Sequence, residues 1–285
     1  MEISENEFRM IMKALSTMGI KIESYKLDFL RRRILARMMA TRSKTAMDYI
    51  YLLRKNPEEQ KAFLDSISIN VSEFFRDPLV WDGVKLAFKE RIGEKIVSGL
   101  EPTLRIWSVG CSCGEEPYTI AIVALEVFKE LGIPQPKLSV QATDIDRDAL
   151  RKGNNGIFSE SAIKNIPRGL KTRYLLECDC LGASSLTDRS GTMYYSVSDE
   201  VKKVVRFRYH DLVVDPPMLF MDAVFCRNLL IYLSQETQKI IIGKLQTSLT
   251  KGGFLVLGMN EVIMFEGTSF EAYDSRNRIY RKKSL

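Results

Sequence analysis

The sequence has one histidine and no long apolar run, and each of these scarcities removes a class of function. With His210 as the only imidazole, a histidine-centred triad has one possible centre, and no nucleophile is placed to serve it. No apolar stretch reaches the roughly 20 residues of a membrane span, and the acidic, polar N-terminus does not resemble a signal peptide. We therefore expect a soluble, cytoplasmic protein without membrane insertion.

The five cysteines are odd in number, and four of them form two Cys-x-Cys pairs, Cys111/Cys113 and Cys178/Cys180. Two such pairs could supply four thiolates to a zinc ion. The first pair, however, lies in a glycine turn that is better explained as a ligand site, where a metal would obstruct the ligand. The prediction is reduced, unpaired thiols and no metal.

Length and charge leave several classes open. A chain of 285 residues can form one large core and a smaller domain. Its net charge of +6 and pI near 9.0 permit binding to nucleic acid or to an acidic protein surface. Nothing in the sequence demands more than a monomer.

The apolar pattern predicts two domains and an insertion. Residues 1–68 show helical periodicity through Glu5–Met18, Lys26–Ala40, Ala46–Lys55 and Pro57–Ile67. Residues 69–80 form a junction, and 81–285 form the second domain. Within it, 177–200 is rich in Gly, Ser, Thr and Asp with short β-prone pieces, which indicates a small inserted β subdomain.

Strands and helices alternate through the second domain. The predicted strands are Leu104–Val109, Leu138–Thr143, Val204–Tyr209, Asp222–Cys226, Phe254–Gly258 and an antiparallel edge strand at Arg278–Arg281. Helices are predicted over Thr119–Leu131 and Thr237–Leu249. This alternation predicts an α/β fold with a doubly wound, mostly parallel sheet.

A turn from Gly110 to Gly114 joins the first strand to its helix. It has neither the Gly-x-Gly-x-x-Gly spacing of dinucleotide sites nor the Gly-Lys-Ser/Thr of phosphate loops. Glu115 and Glu116 suit the positive end of a helix but would repel a phosphate. Asp144, at the end of the second strand, is placed as the ribose-binding acid of doubly wound folds. A cationic, phosphate-free nucleoside such as S-adenosylmethionine fits this arrangement best.

The second helix of the first domain carries a cluster of arginines. A stripe of Leu27, Leu30, Ile34, Leu35 and Met38 is predicted to face the core. Arg33 and Arg37 lie one turn apart and would present a paired positive surface, unless they belong to an ordinary solvated face. Such a surface could dock an acidic helix or a phosphate backbone.

Four separated motifs resemble one family. Asn70-Val-Ser-Glu-Phe-Phe-Arg76, Gly110-Cys-Ser-Cys-Gly-Glu-Glu-Pro-Tyr118, Thr143-Asp-Ile-Asp146 and Phe225-Cys-Arg-Asn-Leu-Leu-Ile-Tyr232 stand in the order seen in the CheR family. These are S-adenosylmethionine-dependent methyltransferases that methylate glutamates of chemotaxis receptors. The resemblance covers nearly the whole chain.

The resemblance implies a cofactor shell made of Asn70, Ser72, Arg76, Glu116, Asp144, Asp211, Leu212, Arg227 and Asn228. Glu116 and Asp144 would hold the amino-acid part and the ribose, and Tyr232 would face the acceptor. Independently of the family, the chemistry suits Arg76 and Tyr232 as the residues that orient the acceptor carboxylate. Asp211 departs from a family member that has Asn there; an acid can accept from the adenine amino group but cannot donate. Arg33 and Arg37 would seat the receptor helix.

The function implied is therefore methyl transfer from S-adenosylmethionine to glutamate side chains of receptor cytoplasmic helices, giving methyl esters and S-adenosylhomocysteine for sensory adaptation. A nucleic-acid methyltransferase is the alternative, favoured by the basic pI, but the sequence has no Asn-Pro-Pro-Tyr motif to seat a base amine. A non-catalytic sensor that retains the cofactor is a second alternative. We expect receptor helices, and no nucleic acid, as partners.

Overall fold

The computed structural model describes residues 3–68, 72–178, 193–263 and 267–283. The chain divides into two compact units, one formed by Met1–Ile69 with Tyr232–Ile240 and the other by Asn70–Ile231 with Ile241–Leu285. We refer to them as the helical unit and the sheet unit. The sequence-based division placed Tyr232–Ile240 in the second domain, whereas in the structure this segment belongs to the helical unit.

Four helices lie wholly within the helical unit, and three of them begin at a capping residue. They are α1 (Glu5–Thr17), α2 (Leu27–Ala40), α3 (Ala46–Lys55) and α4 (Pro57–Ile67). Ser4 and Thr45 each form a capping box with the acid three residues later, and Asn56 caps α4, in which proline occupies the first position. These local signals explain why the four predicted helices agree with the structure to within a residue or two.

The apolar stripe of α2 is shifted from the predicted one. Leu30, Ile34 and Met38 are buried, but Leu27 is 61% exposed, so its assignment to the core was wrong. Leu27 opens the helix, and Phe29, two residues later, is buried in its place.

The sheet unit alternates helices with strands, as predicted. Its elements are α5 (Pro78–Val97), β1 (Thr103–Val109), α6 (Glu115–Glu130), β2 (Lys137–Asp144), α7 (Arg147–Asn155), β3 (Ile157–Ser159), α8 (Arg168–Tyr174), β4 (Leu175–Cys178), β5 (Tyr194–Val197), α9 (Asp199–Lys202), β6 (Val205–Tyr209), β7 (Met221–Cys226), α10 (Gln235–Ser248), β8 (Leu249–Leu257), β9 (Phe270–Asp274) and β10 (Ile279–Lys282). Helix α10 begins in residues assigned to the helical unit and ends in the sheet unit.

Seven strands form the main sheet in the order β6-β2-β1-β7-β8-β10-β9. The first five are parallel, and β10 is antiparallel to both of its neighbours. The predicted mostly parallel sheet is confirmed. The prediction that β10 lies on the edge was wrong, because the unpredicted strand β9 pairs along its outer side.

Helix α6 is the central helix of this unit. Twelve of its sixteen residues are buried, so its apolar side chains are nearly continuous rather than confined to one stripe. Helix α5 was not predicted. Its apolar residues are spread around the helix, with Leu79 and Leu86 exposed while Val80, Trp81 and Val84 are buried, so no single amphipathic stripe marks it in the sequence.

The predicted β insertion is visible only at its borders. Strands β3, β5 and β4 form a small antiparallel sheet, with β5 in the centre. The middle of the predicted 177–200 subdomain, residues 179–192, lies outside the described residues. No helix in the described chain is long and apolar enough to cross a membrane.

Candidate active site

Most of the predicted cofactor residues lie at or just after the carboxyl ends of β1, β2, β6 and β7 in the sheet unit. Ser72 and Arg76 lie in the segment that precedes α5. In parallel sheets these ends lie at one edge, where doubly wound folds bind ligands. Backbone hydrogen bonds hold the first three loops together. The amide of Cys111 donates to the Thr143 carbonyl at 3.0 Å, and that of His210 donates to the Asp144 carbonyl at 3.1 Å.

The glycine turn is shaped by packing as well as by conformation. Gly114 has φ +103°, which disfavours other residues. A Cβ there would lie 3.0 Å from Cα of Gly153 and 3.1 Å from the ring of Phe207. The glycine therefore lets the start of α6 approach α7 and β6 closely, a role that its place in a ligand turn did not predict.

Asp144 is bonded to the same turn. Its two carboxylate oxygens each accept one backbone hydrogen bond at 2.9 Å, from the amides of Ser112 and Asp146. Burial raises the pKa of Asp144 above its ordinary value, although these amide donors oppose the shift. Each oxygen has a remaining lone pair, so the group could still accept from the two hydroxyls of a ribose.

Glu116 projects from the first turn of α6 into a largely buried position. Its Oε1 accepts from the Ser108 hydroxyl at 2.8 Å, and its Oε2 lies 3.6 Å from Nη1 of Arg227. Only 13% of its side chain is exposed. Burial raises its pKa, while the positive charges of Arg227 and Arg76 act in the opposite direction. The site thus contains two carboxylates whose charged forms are costly until a cation binds.

Arg227 connects these groups to the segment before α5. Its side chain is 2% exposed, and Nη2 donates to the Asp77 carboxylate at 2.7 Å and to the Arg76 carbonyl at 3.3 Å. The guanidinium lies over the Trp81 ring, 5.5 Å from its centroid. Arg227 is therefore held by the protein itself, so its position does not depend on a ligand.

Two of the residues predicted in the junction are described, and one is not. Ser72 donates a hydrogen bond that lowers the pKa of Glu115, although burial raises that pKa by more. The charge of Arg76 lies close enough to Glu116 to affect the pKa of its carboxyl. Asn70 lies outside the described residues.

Asp211 is used by its own loop. Its Oδ1 accepts from the amides of Val213 at 3.0 Å and Val214 at 3.2 Å, which is an Asx-type turn after β6. That role needs only an acceptor oxygen, which Asp and Asn both supply, so the departure from the family residue leaves the loop geometry intact. Leu212, next in the chain, is buried.

Strained backbone is concentrated in this part of the chain. Seven non-glycine residues among those described have positive φ, and four of them, Phe75, Asp77, Ser112 and Asn228, lie in the loops just described. Such conformations cost about 1–3 kcal/mol each and persist only where surrounding contacts impose them. Asp77 shows such a contact, because its carboxylate is bonded to Arg227.

The two predicted docking arginines have different environments in the helical unit. Arg37 forms a bidentate ion pair with Glu59, with Nε to Oε1 at 3.0 Å and Nη2 to Oε2 at 2.5 Å. Glu59 is buried and also accepts from the Tyr49 hydroxyl at 3.0 Å. Arg37 therefore neutralises an internal carboxylate, and the predicted paired positive surface does not form. Arg33 is half-buried, with its guanidinium 5.2 Å from the Phe29 ring centroid.

Tyr232 belongs to the helical unit. Its ring lies 5.0 Å from that of Phe29, and its backbone carbonyl accepts from the Lys26 amide at 2.9 Å. Asn228, four residues earlier in the sheet unit, has φ +60° and donates its amide to Glu261 at 2.8 Å.

Sequence reasoning missed three residues that organise the site. Ser108 is an interior residue of β1, Asp77 precedes a proline, and Glu261 follows the last parallel strand. Each resembles an ordinary strand, turn or surface residue in sequence, and only the fold places it against Glu116, Arg227 or Asn228. A signal was present for Asp77 alone, in its position directly after the Phe-Phe-Arg motif.

The donor set fits S-adenosylmethionine. Buried side-chain atoms without a partner among the described residues include Ser112 Oγ, His210 Nδ1 and Arg227 Nε, all in loops around the site. Two carboxylates of raised pKa suit a ligand that carries an ammonium, a sulfonium and a ribose diol. Among the described residues no cluster of three or more acidic, histidine or cysteine side chains could hold a metal; Cys180 lies outside those residues.

Comparison with known families agrees with this geometry. The model described as "CheR methyltransferase, SAM binding domain" matches residues 70–279, and "CheR methyltransferase, all-alpha domain" matches residues 6–68. The chain belongs to the CheR methyltransferase family. The CheR match therefore identifies an S-adenosylmethionine-dependent methyltransferase with its N-terminal all-α domain.

Three relatives show how far the CheR similarity extends. A chemotaxis protein methyltransferase of Borreliella burgdorferi is 30% identical over 92% of this chain and 89% of its own length. Chemotaxis protein methyltransferase 2 of Vibrio cholerae is 32% identical over 85% of this chain and 80% of its own length. An uncharacterized 104.1 kDa protein of Rhodobacter capsulatus is 30% identical over 95% of this chain, which spans 27% of that protein's length.

A Glu116→Gln variant should separate cofactor binding from stability. The pKa of Glu116 is higher in the folded protein than in the unfolded chain. Stability therefore falls as pH rises from the unfolded-state pKa to the folded-state pKa, because the unfolded chain ionises first. Removing the charge should leave the thermal midpoint of the unliganded protein at pH 7.5 unchanged or higher. Calorimetric titration should show affinity for S-adenosylmethionine reduced roughly tenfold or more, as expected for loss of a charge-assisted contact.

Glu126→Gln is the matched control on the same helix. Glu126 accepts hydrogen bonds from Tyr174 and Arg173, and its pKa is lowered, so this variant should lose stability and keep cofactor affinity. Equal affinities for the two variants would contradict the assignment of Glu116 to the cofactor.

Proposed function

We propose that this enzyme transfers the methyl group of S-adenosylmethionine to glutamate side chains on the cytoplasmic helices of chemotaxis receptors. The products would be glutamyl methyl esters and S-adenosylhomocysteine, and the reaction would serve sensory adaptation. The observation that carries the proposal is the pair of buried acids, Glu116 and Asp144, beside a turn that lacks a phosphate-binding motif. This site occurs in a chain related over most of its length to chemotaxis protein methyltransferases.

The acceptor chemistry suits a site without a dedicated base. A glutamate with its ordinary pKa near 4.3 is already ionised at neutral pH, so no proton has to be removed before attack. His210, the only imidazole, is bonded through Nε2 to the Pro216 carbonyl at 3.0 Å and contacts Trp107 edge to face. It therefore has a structural role in the loop after β6.

When bound, S-adenosylmethionine supplies an electrophilic methyl group for an in-line displacement. The protein must align the acceptor oxygen and exclude water from it, and such positioning can lower a barrier by roughly 7–11 kcal/mol in favourable cases. Arg76 could orient a carboxylate through two N–H groups, and Tyr232 could donate one hydrogen bond. These contacts accelerate transfer only if they strengthen in the transition state.

Labelled methyl transfer tests the acceptor directly. The protein is incubated with methyl-labelled S-adenosylmethionine and a receptor cytoplasmic fragment, with nucleic acid in a parallel reaction. We expect label in the receptor fragment, released by mild alkali because methyl esters hydrolyse readily. A fragment with its glutamates changed to alanine is the control and should remain unlabelled. Alkali-stable label on nucleic acid would overturn the acceptor while leaving the cofactor site assigned.

Removal of the Tyr232 hydroxyl tests acceptor positioning. Tyr232→Phe keeps the ring that contacts Phe29 and removes one hydrogen-bond donor. We expect kcat to fall by roughly tenfold, equivalent to one such bond in the transition state, with cofactor affinity unchanged. Tyr51→Phe, at an exposed tyrosine of the same unit, is the control. If the two variants turned over equally fast, Tyr232 would have no part in the reaction.

The helical unit is proposed to bind the receptor helix through basic residues of α2. The half-buried Arg33, which has no carboxylate partner among the described ion pairs, is the contributing arginine rather than Arg37. Arg33→Ala should weaken binding of an acidic receptor fragment several-fold at low salt, and the difference should shrink as salt screens the charges. Arg54→Ala removes the same charge from an exposed position on α3 and is the control. Equal affinities of these two variants would contradict a docking role.

Arg37→Ala should act differently, because it leaves Glu59 buried without its cation. We expect it to lower the free energy of unfolding of the helical unit by about 3 kcal/mol, measured by urea denaturation.

A further inference from the structure

A buried carboxylate outside the predicted cofactor shell gathers three backbone amides. Glu261 is 3% exposed. Its Oε2 accepts from the amides of Asn228 at 2.8 Å and Gly258 at 2.7 Å, and its Oε1 accepts from the amide of Leu230 at 2.7 Å. No cationic side chain among the described residues forms an ion pair with it, so its hydrogen bonds go to the main chain.

The three amides come from the ends of two neighbouring strands. Asn228 and Leu230 follow β7, and Gly258 follows β8, its parallel neighbour. The contact is tight, since a Cβ on Gly258 would lie 2.8 Å from both the Asn228 nitrogen and Oε2 of Glu261. Glu261 thereby closes the gap between the two strand ends and holds Asn228 at φ +60°, a conformation that a free loop seldom adopts.

The loop held in this way is the one that begins with Arg227. The guanidinium of Arg227 lies near Glu116 on one side and is bonded to Asp77 on the other. A rotation of the peptide at Asn228 would move the Arg227 side chain away from these partners. We propose that Glu261 is a positioning residue of the cofactor site, which fixes the loop after β7 so that Arg227 faces Glu116. The proposal rests on the cofactor site of the sheet unit and is independent of which acceptor is methylated.

The negative charge of Glu261 also reaches Glu116. It raises the pKa of the Glu116 carboxyl, together with burial, whereas Arg227, Arg76 and the Ser108 hydroxyl lower it. The thiols of Cys226 and Cys111 are also close to these carboxylates, and burial raises the pKa of both thiols, so they contribute no charge near neutral pH. Glu261 therefore affects Glu116 through the loop and through its charge.

Glu261→Gln tests both effects in the full-length protein. The amide replaces one acceptor oxygen with an NH2 group that faces a backbone N–H, so at least one of the three bonds is lost. We expect affinity for S-adenosylhomocysteine, measured by calorimetry, to fall roughly tenfold, the equivalent of one buried hydrogen bond. Glu59→Gln, which neutralises a similarly buried carboxylate in the helical unit, should reduce stability and leave this affinity within about twofold.

The pH dependence of binding distinguishes a positioning role from a loss of stability. Without the charge of Glu261, the pKa of Glu116 falls, so the decline of affinity on acidification should begin at lower pH in Glu261→Gln than in the wild type. Glu261→Asp retains the charge and should keep the wild-type pH profile while recovering part of the affinity. It also provides the comparison if the Gln variant does not fold.

The results distinguish an error in the cofactor site from an error in the role of Glu261. If the wild type does not bind S-adenosylhomocysteine, the cofactor site itself is misassigned. If the wild type binds and both Glu261 variants bind as tightly as Glu59→Gln, with unchanged pH profiles, the positioning role is refuted. Reduced affinity in Glu261→Gln with the shifted profile, and partial recovery in Glu261→Asp, would support it.

Discussion

The main physical constraint on the site is that the carboxylate of Glu116, whose negative charge would bind a cation, lies where water scarcely reaches it. Burial disfavours that charge, and the surrounding residues only partly offset the cost, through the Ser108 hydroxyl and the guanidinium of Arg227. A residual cost of this kind is useful in a binding site. A cationic ligand would stabilise the buried charge of Glu116, and the relief of this electrostatic cost would contribute to the binding free energy.

Arg227 can serve this purpose because it is rigid. An exposed arginine would have to lose rotamer freedom when the ligand binds, whereas this one is already fixed by Asp77, the Arg76 carbonyl and the face of Trp81. Its partners belong to the segment that precedes α5, so the conformation of that segment and the electrostatics of the cofactor site are set by the same contacts.

Much of the fold could be predicted from the sequence because its signals are local. Capping residues and prolines mark the helices of the first unit, and β-branched runs mark the parallel strands. Helix α5 and strand β9 were missed, because the former has no single apolar stripe and the latter is a short pairing partner of β10. In the candidate site, Asp144 was predicted from its place at the end of a strand, and the pair Glu115 and Glu116 from its place after a glycine turn, with Glu116 chosen through the family resemblance. Ser108 and Glu261 could not be predicted, since their roles arise from contacts between distant segments. The ion pair of Arg37 was not predicted for the same reason, because its partner Glu59 lies on another helix.

Close packing at the glycine turn also bears on which substitutions this chain can accept. A Cβ at Gly153 would lie 2.6 Å from the Phe207 ring, and one at Gly114 would lie 3.1 Å from the same ring. The Phe207 ring therefore occupies the space that a side chain at either glycine would need, although the three positions lie far apart in the chain. A smaller residue in place of Phe207 would make room for a side chain at Gly153. It would not do so at Gly114, where the positive φ and the Cα of Gly153 would still oppose a side chain.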